Sequence, residues 1–169
     1  DVLFAQEYND EKIAKELEEK RMLLNNFDEI EQLKIPKTVK AELRDYQKSG
    51  LNWLFFLTKF QWGGCLADDM GLGKTLQVLA LFAYMKSKNR RGSITNLVVA
   101  PTSLLFNWKN EVEKFVPHLN VLVHWGPNRQ KDSKEWSEKD IILTTYSIVT
   151  NDINIFKDYE FTCAVLDES

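Results

Sequence analysis

Little in this chain suggests a metal centre, a disulfide scaffold or a membrane span. Its 169 residues include two cysteines and two histidines, and no His/Cys cluster stands at ligand spacing, which argues against a structural zinc site. Cys65 and Cys163 both sit inside apolar stretches and read as buried, reduced thiols of an intracellular protein. No apolar run is long enough to span a bilayer, and residues 1–10 lack the charged-then-apolar order of a secretory signal. Internal repeats and low-complexity segments are absent as well. Positive charge is not in excess: the formal net charge is −3, which excludes a protein that coats nucleic acid by bulk electrostatics. Any such contact must come from local groups.

What is present suits one domain with a sizeable core, since 44% of the residues are hydrophobic. A helix is expected from about Asn9 to Asn26. Asn9 is its N-cap, Ile13, Leu17 and Leu24 share one face, and Glu11–Lys15 and Glu16–Lys20 pair four residues apart. A linker from Phe27 to Lys40, marked by Ile35-Pro36, leads to a second helix from Arg44 to about Phe60. Tyr46, Leu51, Trp53, Leu54 and Leu57 give that helix one broad apolar face.

After Gly63-Gly64 the pattern alternates. Strands are expected at Cys65–Ala67, Asn96–Ala100, Val121–Trp125, Ile141–Thr144 and Phe161–Leu166, and helices at Leu76–Met85 and Leu104–Phe115. Alternation of this kind builds an α/β parallel sheet with helices on both faces. The remaining conspicuous residues read as structural. His118 and His124 have no partner nearby in sequence, Trp53, Trp108 and Trp125 read as core or groove packing, and Lys86–Arg91 reads as a solvated loop.

The most informative stretch is Asp68-Asp69-Met70-Gly71-Leu72-Gly73-Lys74-Thr75, between an expected strand and an expected helix. Backbone N–H groups of such a loop can wrap a triphosphate, and the helix N-terminus adds a favourable dipole. Gly71 and Gly73 allow close approach, Lys74 neutralises phosphate charge, and the Thr75 hydroxyl suits Mg²⁺. Asp68 stands where the general phosphate-loop pattern asks for glycine. A dinucleotide fingerprint fits less well, because Leu76 takes the place of its third glycine. Hydrolysis also needs a carboxylate near the metal and a base for water. Asp167 and Glu168 follow the apolar run Ala164–Leu166 and suit those two tasks.

Leu43-Arg44-Asp45-Tyr46-Gln47, Leu51–Leu54, Leu66–Thr75, Ala100–Leu104 with Asn107-Trp108, Ile142–Tyr146 and Leu166–Glu168 occur in that order. Together they resemble the first RecA-like lobe of SWI/SNF-type ATPases, a branch of the superfamily-two helicase-like translocases. The resemblance covers about Leu43 to Glu168, and Ala67–Thr75 is its most specific part. It implies a P-loop NTPase fold over residues 41–169, behind a helical extension and linker at residues 1–40.

It implies a nucleotide site at Gln47, which reads adenine, and at Asp69–Thr75. Lys74, Asp167 and Glu168 are the implied catalytic groups, and Thr75 and Asp167 the implied Mg²⁺ ligands. Pro101, Thr102 and Ser103, with Thr144, Thr145 and Tyr146, correspond to loops that grip the phosphates of one DNA strand. ATP, Mg²⁺, double-stranded DNA and a second RecA-like lobe are the implied cofactors and partners; no membrane partner is implied. A bacterial member, towards which Gly64–Asp69 inclines, acts in the nucleoid-bearing cytoplasm; a eukaryotic member is nuclear.

Ser169 stands where many members have alanine. The later motifs of the lobe lie beyond it, among them the strand that inserts between the phosphate-loop strand and the Asp-Glu strand. Cys65–Ala67 and Ala164–Leu166 are therefore expected to flank a gap two strand spacings wide, roughly 9–10 Å. A chain without the second lobe's arginines is expected to turn over ATP poorly. The competing readings are a strand-separating helicase, a regulatory module that binds ATP without hydrolysing it, and a small-molecule kinase.

Overall fold

The computed structural model describes residues 31–69, 71–89 and 94–168. The helix expected at Asn9–Asn26 lies outside them.

Helix α1 (Asp45–Lys59) starts where the Gln47 side chain turns back and accepts from the Arg44 N–H at 2.9 Å. It ends in Gln61, whose φ of 54° breaks the helical run. Helix α2 (Lys74–Lys88) begins directly after Gly73 and is buried from Leu76 to Tyr84. Strand β1 (Asn96–Val99) then leads into α3 (Thr102–Phe115). Strand β2 (Val121–Val123) is followed by a single 3₁₀ turn at Trp136–Glu138 and by β3 (Ile141–Thr144). Two short helices, α4 (Tyr146–Asn151) and α5 (Ile153–Lys157), precede β4 (Cys163–Leu166).

The four strands form one parallel sheet in the order β2-β3-β1-β4, with Asn96 opposite both Ile141 and Cys163, and Val121 opposite Ile141. β1 and β3 are buried on both faces, as their unbroken apolar runs require. On one face Val98, Ala100, Ile141 and Leu143 pack with Leu79, Phe82, Leu105, Trp108 and Val112 of α2 and α3. On the other, Leu97, Val99 and Ile142 pack with Trp136, Ile148 and Phe156. Helices on both sides of a parallel sheet are what the alternation of elements predicts. Residues of the segment read as a linker also touch the core. Leu33, Ile35 and Val39 pack on it, and the Lys40 N–H donates to Phe115 O at 2.7 Å.

Three sequence expectations need correction. Cys65–Ala67 forms no strand, and none of the described strands pairs with it. Three apolar residues hold no extended ladder alone; they need a neighbour's N–H and C=O groups. β4 is instead a sheet edge, alternately half-buried and exposed, with Leu166 59% accessible. Its flank from Glu160 to Ala164 faces a cleft of about 700 Å³ bounded opposite by Thr58 and Gln61–Gly63. The phosphate loop is not entered from a strand.

Cys65 is exposed rather than buried, for the same reason, whereas Cys163 is half-buried and burial pushes its thiol pKa up. Lys86 belongs to α2 rather than to a solvated loop, and pairs with Asp140 at 2.6 Å. Among the described residues no helix is long and apolar enough to cross a membrane.

Candidate functional site

The carboxyl ends of the parallel strands lie along one edge of the sheet, and the residues that leave the strands fall there in strand order. His124-Trp125 follows β2, Thr145-Tyr146 follows β3, Pro101–Ser103 follows β1, and Asp167-Glu168 follows β4. Open α/β sheets bind ligands at this edge.

The phosphate loop is braced by α1 and leads directly into α2. Gly71 and Gly73 have φ of 82° and 79°, a left-handed conformation that glycine adopts without penalty. Gly73 is also required for space, since a Cβ there would stand 2.5 Å from Gln47 Nε2. Gln47 is buried, at 7% exposure, and both ends of its amide are engaged. Oε1 accepts from Arg44 N, and Nε2 donates to Leu72 O at 3.0 Å. Tyr46 donates its hydroxyl to the same Leu72 carbonyl at 3.2 Å. The residue that the resemblance makes an adenine reader thus clasps the loop.

Lys74 Nζ donates to Asp68 O at 2.6 Å and to Asp69 O at 3.2 Å, so its ammonium lies within the curl of its own loop. Thr75 is half-buried on the first turn of α2. Met70 lies outside the described residues.

One partner of this loop was not legible in the sequence. Gln77 is fully buried and donates Nε2 to Asp68 Oδ2 at 3.0 Å. A Cβ on Gly50 of α1 would collide with Gln77 Oε1, which has no hydrogen-bond partner among the described residues. Gly50, Gln77 and Asp68 therefore lock α1, α2 and the entry of the loop together.

Asp167 is held at three points. Its N–H donates to Val99 O at 2.9 Å, extending the β1–β4 ladder by one residue. Its carboxylate Oδ2 accepts from Trp108 Nε1 at 2.7 Å, and its carbonyl accepts from the Tyr146 hydroxyl at 2.8 Å. Trp108, read from the sequence as packing, is buried and also orients this carboxylate. Glu168 follows with φ of 48°, a left-handed conformation that costs a residue with a Cβ about 1–2 kcal/mol.

One turn beyond Trp108, Glu111 lines a cleft of about 370 Å³ with Gly73, Leu76, Asn107 and Lys114. Burial raises the Glu111 pKa, Lys114 opposes this, and the negative charge of Asp167 adds to the rise. Helix α3 thus bridges the phosphate loop and Asp167. Glu111 escaped the sequence reading because an exposed-looking Glu on an amphipathic helix carries no local mark.

The nucleic-acid segments divide by exposure. Thr102 and Ser103 are exposed at the start of α3, and Pro101 is half-buried. Thr144 is fully buried with its hydroxyl donated to His124 O at 2.8 Å, so it does not face a ligand. Thr145 is buried and caps α4, accepting from Ile148 N at 3.4 Å. Tyr146, at 36% exposure, is the residue of that segment that reaches the surface.

Trp125, expected to pack inside, is 42% exposed and meets Phe106 edge to face at 5.8 Å. His124 proves to be partnered. Its Nε2 lies 3.2 Å from Asp152 Oδ2, and Arg129 grips the same carboxylate through Nε and Nη2.

The chain is similar to known proteins over most of its length. A profile of the SNF2-related domain matches residues 46–169. The chain is 37% identical to YwqA of Bacillus subtilis over 160 residues, covering 93% of this chain and 17% of YwqA. It is 39% identical over 147 residues to the TATA-binding protein-associated factor MOT1 of Saccharomyces cerevisiae, covering 80% and 8%. Among solved structures, the Sulfolobus solfataricus SWI2/SNF2 ATPase core in complex with dsDNA superposes with a TM-score of 0.73 at 43% identity, over 82% of this chain and 28% of that one. The Sulfolobus solfataricus SWI2/SNF2 ATPase core domain superposes with a TM-score of 0.72 at 41% identity, over 82% of this chain and 27% of that one. The chain thus spans less than a third of each of these proteins, and by its matched profile, its parallel sheet and its phosphate loop it belongs to the SNF2-related family.

Proposed function

We propose that this chain is the ATP-binding part of a motor that moves along double-stranded DNA and displaces what is bound there. The observation that carries the reading is the shared edge of the sheet. Asp167-Glu168, the exposed Thr102-Ser103 turn and Tyr146 lie at the carboxyl ends of its strands, and helix α3 lines one cleft with Gly73 of the phosphate loop. ATP is the proposed nucleotide, with Lys74 and the N–H groups of residues 71–75 taking its phosphates and Gln47 leaving Leu72 O to read adenine.

The donor set fits Mg²⁺, a hard cation that takes oxygen ligands. Thr75 offers a hydroxyl and Asp167 the carboxylate oxygen not used by Trp108. When bound, the ion neutralises charge on the phosphates. Glu168 orients the attacking water and accepts its proton. Thr102 and Ser103 offer the DNA backbone their hydroxyl groups and Tyr146 its exposed ring, contacts that position a strand without reading its sequence. A solved relative at 43% identity holds double-stranded DNA, which supports duplex as the track. A second RecA-like lobe closes over the nucleotide in the proposed whole protein.

The test is the ATPase rate of the parent protein with duplex, with single strand and without DNA, alongside a strand-separation assay. Stimulation by duplex without separation of strands is expected. Stimulation confined to single strands with unwinding identifies a helicase instead, and turnover indifferent to DNA removes the motor reading.

A further inference from the structure

Tyr146 belongs at once to the DNA-facing turn and to the hydrolytic pair. It is the first residue of α4, and its backbone is fixed from below. Thr144 is buried in β3, and the Ala100 N–H donates to Thr144 O at 3.0 Å. Thr145 caps the helix and meets the exposed Ser147 hydroxyl at 3.1 Å. From this anchor the Tyr146 ring crosses the end of β1, which separates β3 from β4, and its hydroxyl reaches Asp167 O. That carbonyl belongs to the peptide leading into Glu168, the residue held at positive φ. The N–H of Asp167 is pinned to β1 and its carboxylate to Trp108. Tyr146 thus supplies the hold on the carbonyl side of the residue, where rotation of the peptide would swing Glu168.

We propose that Tyr146 is a positioning residue that couples occupancy of the DNA-facing edge to ATP hydrolysis. DNA seated on Thr102, Ser103 and the exposed Tyr146 ring fixes that ring, its hydroxyl fixes the Asp167–Glu168 peptide, and Glu168 is aimed. The inference rests on the motor reading above and adds to it the path by which DNA raises turnover. Its elements are contiguous: a surface ring, one hydrogen bond, one peptide and one carboxylate.

The experiment uses the parent protein and Tyr146→Phe, which keeps the ring and removes one oxygen. The maximal rate at saturating duplex is expected to fall about three- to tenfold, the kinetic equivalent of one hydrogen bond. The duplex concentration for half-maximal stimulation and the KM for ATP are expected to stay within about twofold. Ser103→Ala is the comparator. As a DNA contact that takes no part in this bond, it should raise the half-maximal duplex concentration while the full rate returns at high DNA. If Tyr146→Phe behaves as Ser103→Ala does, Tyr146 is a DNA contact only and the coupling is overturned. If the unmutated parent does not respond to duplex, the motor reading fails first, and the coupling with it.

Discussion

At the residue scale, the site is a set of charges whose partners differ from those they meet in turnover. Lys74 is held by two backbone carbonyls of its own loop. Phosphate oxygens are stronger acceptors for an ammonium than carbonyls are, so exchange of partners is favourable. Replacing Lys74 by Ala should lower Mg-ATP affinity at least about tenfold, read by calorimetric titration; unchanged affinity would remove the phosphate-cradle assignment.

Trp108 makes a different statement. Its indole N–H gives the half-buried Asp167 carboxylate a charge-assisted bond. Trp108→Phe keeps most of the ring and deletes that bond, which should cost about 1.5–3 kcal/mol of unfolding free energy by denaturant titration. It should also raise the Mg²⁺ concentration needed for half-maximal turnover in the parent protein. A stability loss with an unchanged Mg²⁺ requirement would mean that the indole only packs.

At the scale of elements, two ties decide how helices and loops sit on the sheet. The first joins α1 to α2 through Gly50 and Gln77. Gly50→Ala places a methyl group where Gln77 Oε1 lies, so Gln77 must leave and Asp68 loses its donor. Overpacking of this kind costs about 1–3 kcal/mol, and nucleotide affinity should fall with it because the loop entry loosens. A variant as stable as the parent, with the same affinity, would show that the loop does not depend on this lock.

The second tie joins the end of β2 to the α4–α5 turn through His124, Asp152 and Arg129. Burial lowers the His124 pKa, although Asp152 opposes it, and the Arg129 bond holds the Asp152 carboxyl below its usual range. His118 is lowered as well, by burial and by Lys86. Each imidazole therefore stays neutral in the fold at pH values where the unfolded chain takes up a proton. The sign follows: the unfolded state binds more protons, so stability is complete above the ordinary imidazole pKa of about 6.5 and is lost as pH falls below it. Thermal melts from pH 7.5 to 5 should show this decline, and His124→Gln should flatten part of it. A melting temperature independent of pH over that range would contradict the assignment.

At the scale of the whole molecule, the strand order sets the turns proposed for DNA, after β3 and β1, beside the pair proposed for hydrolysis, after β4. In the parent protein, Glu168→Gln should leave Mg-ATP binding within about twofold and lower turnover by at least about a hundredfold, because an amide does not take the water's proton. Turnover near that of the unmutated protein would assign the base elsewhere.

The local signals survived folding where they rested on the chain itself. β1 and β3 are unbroken apolar runs, and both formed within a residue of expectation. Gly71 and Gly73 were legible because only glycine takes their φ angles cheaply. Cys65–Ala67 was misread because a strand is half made by its neighbour, and no described neighbour pairs with it. The sequence by itself determined the alternation of elements, the phosphate loop and the presence of an acidic pair after an apolar strand, since these follow from short-range pattern and steric preference. Only the tertiary structure decided that Trp108 and Tyr146 hold Asp167, that Gln77 needs Gly50, and that His124 has a partner 28 residues away. Those contacts join positions far apart in the chain, and the order of strands in a sheet, which no local pattern encodes, brings them together.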